Sequence, residues 1–353
     1  MTQPGDPGPA ARSELDPVPG AEIVPVQAEA AGDGQARPGR RTFSLEGRRA
    51  PGLYLVGWLA SLVGASTVLV VLLGQPTDLA GAILLGLGTF LLAVGLCAAA
   101  GSQAIERQWA AALGYRGPSP LLLFGATISL TLFLEVLALA PLGALGVGPD
   151  STLETLVGLV ILNGSAVVLV ALLVVGPGAL TWREMGVPVR IAGAGWGVPG
   201  LLRNLLEGMV LGVPLLFGTF VLASVLVNLL GTSPPGPLPS AQTPADAVIN
   251  LVSGAIIAPL GEELFYRGFA TTAWVRGVGV RGGILRAALL FAAAHVLTLS
   301  GTPTAALIAF ATRLPVALAL GWIFVRRGSL ASSFGMHAVF NAIPLILVGL
   351  SLG

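Results

Sequence analysis

The chain has 353 residues, of which 54% are hydrophobic and 10% charged, and its mean hydropathy is +0.87. Soluble domains carry roughly 25% charged residues, so this composition excludes an ordinary water-soluble enzyme. The net charge is +1, and the 18 basic residues are all arginine, few and scattered. They leave no footprint for nucleic acid, and the absence of lysine reads as the coding bias of a GC-rich, bacterial source. With one cysteine, Cys97, and two histidines, His295 and His337, neither a disulfide framework nor a cysteine- or histidine-rich metal cage can be built.

Residues 1–50 are rich in Pro, Ala, Gly and acidic side chains and then in arginine (Arg37, Arg40, Arg41, Arg48, Arg49). Such a segment buries too little apolar surface to offset its ordering entropy. It is expected to be a disordered cytoplasmic tail with an Arg-rich juxtamembrane end. It lacks the early apolar core of a signal peptide.

From Leu53 onward long apolar runs alternate with short polar breaks. About 20 apolar residues are needed to cross a bilayer as a helix. Spans are expected near 53–73, 79–100, 121–147, 156–176, 208–230, 247–270, 284–299, 304–325 and 333–352, the seventh being short. The fold class is therefore an all-α, polytopic membrane bundle of eight or nine transmembrane helices. Residues 182–207 are too broken by Gly, Pro and charge to span and read as an interfacial or loop segment. This divides the bundle into 51–204 and 205–353.

With the N-terminus inside, every arginine outside the spans falls on the cytoplasmic side, from Arg107 and Arg116 to Arg326 and Arg327. The predicted outer loops hold Asp78, Asp150, Glu154 and Asp246. Trp109, Trp182, Trp196, Trp274 and Trp322 also fall at the inner boundary. Both patterns suit a multi-pass protein of a bacterial plasma membrane with a cytoplasmic N-terminus.

Charge inside hydrocarbon costs about 2.5–3.5 kcal/mol on translocon scales, so intramembrane polar residues are candidates for function. Here they gather in the last third: Glu262, Glu263 and Arg267; Phe291 and His295; His337 and Asn341. Positions four apart share a helix face. Glu263 and Arg267 are thus placed for an ion pair, leaving Glu262 free to face another partner. His337 and Asn341 put an imidazole and an amide on one stripe, and Phe291 and His295 pair a packing ring with a polar one. Three polar faces in lipid are expected to meet. A carboxylate beside water can act as general base, and imidazole and amide N–H groups suit a developing oxyanion. The inventory fits hydrolysis of an amide bond within the membrane.

In this order, Glu-Glu-x-x-x-Arg, Phe-x-x-x-His and His-x-x-x-Asn resemble the CPBP family. It comprises CAAX prenyl proteases and bacteriocin-processing proteins, also called the type II CAAX endopeptidase or Abi family. The resemblance covers roughly residues 205–353. It implies an intramembrane endopeptidase in which Glu262 is the catalytic base and His295 positions the attacking water. His337 and Asn341 would be the oxyanion donors, with Glu263, Arg267 and Phe291 supporting the site. The implied substrate is a membrane-embedded or lipid-modified peptide, with no obligate cofactor.

Other readings compete. Glu262, His295 and His337 are enough ligands for a catalytic zinc, although no His-Glu-x-x-His motif is present. The second reading is a non-catalytic scaffold or a bacteriocin-immunity protein that keeps the polar cluster for binding. A transporter is disfavoured because no inverted repeat is seen. Two further intramembrane charges, Glu135 and Arg313, lie at similar depth and are expected to pair, while Asn163 reads as a packing polar.

Overall fold

Short polar residues followed by proline open several of the helices. Ser119 precedes α3 (Pro120–Ala144), which starts on proline. At α6 (Pro244–Val252) Thr243 and Asp246 form a reciprocal capping box around Pro244. At α9 (Pro303–Arg327) the Thr302 side chain accepts from the Ala305 N–H. The Thr243 and Thr302 caps satisfy first-turn amides that would otherwise be orphaned, and proline at the first position loses no hydrogen bond.

The computed structural model describes residues 43–76, 79–109, 114–148, 151–188, 198–236, 238–297 and 301–351. The tail expected over residues 1–50 lies outside the described residues up to residue 42, as do Asp78, Asp150, Arg190 and Trp196. The remaining elements are α1 (Pro51–Gly74), α2 (Leu79–Gln108), α4 (Thr152–Val170), α5 (Val198–Leu230), α7 (Ala258–Glu262), α8 (Thr272–Leu297) and α10 (Leu330–Leu350). Three π-helical segments interrupt them: Ala171–Val175 after α4, and Ser253–Ile257 and Glu263–Thr271 on either side of α7. The described residues contain no strand, and eight helical stretches are long and apolar enough to cross a membrane. The chain is an integral, multi-pass membrane protein.

One stretch, Pro244–Leu297, runs for 54 residues. Within it Gly279 has φ 79° and ψ 169°, a conformation open essentially to glycine alone. The chain turns back there, because Glu262 and His295 approach to 3.7 Å, whereas a straight helix would hold them about 50 Å apart. The eight stretches therefore make nine arms, and the sixth and seventh expected spans are the two arms of one hairpin.

The arms meet end to end in two layers of contacts. At one end Arg49 N–H bonds to Glu106 and Gln108 donates to the Pro177 carbonyl. At the same end Arg276 pairs with Glu184, and Leu330 N–H reaches the Gly186 carbonyl. At the other, Thr152 Oγ1 donates to Asp246 Oδ1 at 2.8 Å. The described interhelical arginines gather at the first end. In cross-section α9 is central and α5 lies at the rim: 44% of the apolar window of α9 is buried against 6% for α5. Large apolar side chains such as Phe217, Phe220 and Leu229 stay exposed on α5, as lipid contact requires.

The fifth helix begins at Val198, not near 208, which corrects the loop expected over 182–207. Arg203 and Glu207 lower the local hydropathy, but Glu207 is neutralised by Arg327 at the end of α9, whose Nε donates to it at 2.9 Å. Residues 182–186 do form turns, and 189–197 lie outside the described residues.

Close backbone approach seats α10. A Cβ on Gly208 would run into the Ser332 carbonyl oxygen, and one on Gly212 would lie 2.6 Å from that of Met336. This small-x-x-x-small stripe lets α5 and α10 touch backbone to backbone. Gly208→Val is expected to force the two helices apart and cost about 1–3 kcal/mol, read as a lowered unfolding midpoint in detergent.

The Glu184–Arg276 pair ties the loop after α4 to the hairpin tip, at 2.6 Å. Burial pulls the Glu184 carboxyl upward, but its bonds to Arg276 and Thr181 and the Arg276 charge outweigh that, so it sits below the ordinary glutamate value. A lowered folded value adds stability above the unfolded pKa, which is lost as the pH falls through the folded one. The excess unfolding midpoint of wild type over Glu184→Gln should therefore be present at neutral pH. It should shrink once the pH falls below the ordinary glutamate value of about 4.3 and vanish beneath the lower folded one.

Candidate active site

Pro259 sits one residue into α7, following the π segment Ser253–Ile257. A proline inside a helix lacks an N–H and crowds the carbonyl four residues back. Here the ladder widens: the Ala258 N–H bonds to the Ser253 carbonyl, five residues earlier. A second π segment begins at Glu263, so Glu262 and Glu263 stand at the joint between two irregular turns. Such π-bulges recur at functional sites.

The two neighbouring carboxylates part company at this joint. Glu263 is 1% exposed, with Oε1 3.0 Å from Arg267 Nη1 and 2.8 Å from His337 Nδ1. Glu262 is 17% exposed, and its two oxygens face two imidazoles. Oε1 lies 3.7 Å from His295 Nε2, and Oε2 lies 3.7 Å from His337 Nε2. Both separations exceed a direct hydrogen bond, so a water shared by an oxygen and the facing ring nitrogen sits to one side of the line that joins them.

The tautomers follow from the partners on the far side of each ring. An ionised Glu263, beside Arg267, can only accept, so His337 Nδ1 carries hydrogen and donates to it. His295 Nδ1 donates to the Phe291 carbonyl at 2.8 Å. Nε2 of each ring therefore faces Glu262, as a lone pair in the neutral ring and as a second N–H in the protonated one. This anchoring of the outer nitrogen fixes ring orientation.

Phe291 is the plate against which these groups pack. Its ring centroid lies 4.3 Å from that of His295 and 5.9 Å from that of His337. The Arg267 guanidinium carbon stands 4.4 Å above it. Arg267 makes no well-aligned hydrogen bond; its charge is met by Glu263 and by the aromatic face.

The structure thus brings Glu262, Glu263, Arg267, Phe291, His295 and His337 into one cluster, but Asn341 stands one turn further along α10. Its Nδ2 donates at 2.8 Å to the Gly254 carbonyl, not toward Glu262. The expected Glu135–Arg313 pair is not made. The Glu135 carboxylate occupies the space beside Gly158 on α4, whose Cβ would lie 3.0 Å from it, and the charge acting on it is Glu154. Arg313 donates to the Ala309 carbonyl at 3.2 Å and lies within electrostatic reach of Glu262 and His295. Similar depth fixed neither residue's direction around its helix axis.

Asn163, read as a packing polar, instead bonds specifically to backbone: its Nδ2 donates at 2.5 Å to the Ile257 carbonyl in the broken stretch ahead of Glu262. A Cβ on Gly261 would collide with its amide oxygen. The proline inside an apolar run was the available signal for exposed backbone carbonyls; nothing in the sequence names the amides that fill them. Among the described residues no group of three or more His, Cys, Asp or Glu is placed to hold a metal ion.

This is a multi-pass helical protein with an acid–imidazole cluster among its helices. Residues 244–343 match the family model described as type II CAAX prenyl endopeptidase Rce1-like. The matched segment contains all three motifs, and at family level the match is to CAAX-type intramembrane proteases. No curated protein and no solved structure matches the chain.

Removing one member of the buried pair should be costly. Arg267→Met leaves the Glu263 charge without its guanidinium and is expected to cost about 3–5 kcal/mol. Adding Glu263→Gln to it should restore part of that loss, read from unfolding midpoints.

Proposed function

We propose that the protein is an intramembrane endopeptidase that cleaves a lipid-modified or membrane-embedded peptide with water activated by Glu262. The observation that carries this reading is the pair of 3.7 Å gaps from the Glu262 oxygens to two imidazoles held from behind. A water between Glu262 and His295 is oriented by both. Glu262 takes its proton as the oxygen bonds to the scissile carbonyl carbon. The resulting oxyanion accepts from the Nε2–H of a His337 that enters the cycle doubly protonated and keeps both hydrogens, its Nδ1–H on Glu263, an arrangement with the logic of a carboxylate–histidine pair. When the carbon–nitrogen bond breaks, Glu262 returns its proton to the departing amine. Arg313 adds positive charge on the same side of the site.

Zinc bound by Glu262, His295 and His337 is the competing chemistry. The described residues are not spaced as a metal group, and no step here passes through one. By the positive-inside rule the end where the arginines gather is read as cytoplasmic, and the start of α1 with it.

The test is cleavage of a farnesylated peptide ending in a CAAX-type sequence by the purified full chain in detergent. Glu262→Gln should lower turnover by about 10²–10⁴-fold with an unchanged unfolding midpoint, and a chelator should leave wild type active. Equal activity of Glu262→Gln would remove the base, and loss on chelation would favour zinc. A folded wild type inert toward such peptides would favour a scaffold or immunity role.

A further inference from the structure

In the π register of Ser253–Ile257 each carbonyl accepts from the residue five positions on, as the Ala258 N–H does to Ser253. One step further, the residue opposite the Gly254 carbonyl is Pro259, which has no N–H to give. That carbonyl is left without its ladder donor inside a membrane helix, where no bulk water is at hand. Asn341 Nδ2 fills it at 2.8 Å. Glycine at 254 lets α10 come this close, since a Cβ there would lie 2.8 Å from Leu345 Cδ1. The stretch so gripped leads directly into Glu262, and the gripping helix carries His337.

We infer that Asn341 is a positioning residue: its amide replaces the backbone donor that Pro259 removes, and it sets the helix carrying Glu262 against the helix carrying His337. This differs from the oxyanion role that the motif resemblance implies. A side chain acting on the substrate would not depend on what occupies position 259. One that replaces a missing backbone amide would. The activity arm of the test rests on the reading of Glu262 as the base; the exchange arm does not.

The experiment compares wild type, Asn341→Leu, Pro259→Ala and the double variant as full-length protein in detergent. It reads hydrogen exchange over residues 253–262 and cleavage of the farnesylated peptide. Asn341→Leu should raise exchange in that segment by about tenfold, the scale of one lost hydrogen bond. It should lower kcat by a similar factor, with KM held within about twofold. Pro259→Ala supplies the absent N–H, so the double variant should return both quantities to within about threefold of Pro259→Ala alone. Unchanged exchange over 253–262 in Asn341→Leu, or a double variant as impaired as that single one, overturns the inference. If Pro259→Ala does not fold, exchange in Asn341→Leu decides alone. If wild type cleaves nothing, the functional proposal fails while the exchange result still stands or falls by itself.

Discussion

The carboxylate of Glu263 is the contact on which the site depends. Its Oε1 takes the Arg267 charge at 3.0 Å and the His337 Nδ1–H at 2.8 Å, from a position almost sealed from the surroundings. Taking ions out of water is costly unless each is matched, and here the match extends to a third group on another helix. By holding one nitrogen of His337, Glu263 dictates what the other presents to Glu262. The buried acid controls the reach of the slightly exposed one, and the adjacent pair in the sequence divides structural from chemical work.

A second constraint comes from the lipid surroundings. Backbone carbonyls freed by irregular helix turns must be answered by protein, since no bulk water reaches them. The stretch from Ser253 to Glu262 breaks its own ladder, and two amides from separate helices, Asn163 on α4 and Asn341 on α10, answer it at Ile257 and Gly254. The irregularity gives Glu262 an orientation that a regular helix would not. The amides keep that orientation from relaxing.

Much of this was legible beforehand because the signals were local. Hydropathy marked the spans and motif spacing placed polar residues on common faces. The choice between eight and nine arms turned on Gly279, whose backbone angles composition does not encode. The start of α5 was hidden because Glu207 counts as a charge in sequence, while in space it is neutralised by Arg327. Glu135 and Arg313 failed to pair because depth along an axis carries no information about rotation around it. Asn341 shared a stripe with His337 as spacing required, but the partner it found depended on a π register that only coordinates reveal.

The turn at Gly279 also bears on how the site comes into being during synthesis. Glu262 and His295 lie on the two arms of one hairpin, so their meeting is a short-range event that can follow soon after both arms enter the bilayer. His337 is 74 residues beyond Glu263 and reaches it only after α9 and α10 have docked. A nascent chain therefore carries an acid and one imidazole already facing each other but no third partner. Under the proposed mechanism, hydrolytic competence is withheld until the late helix settles against α5.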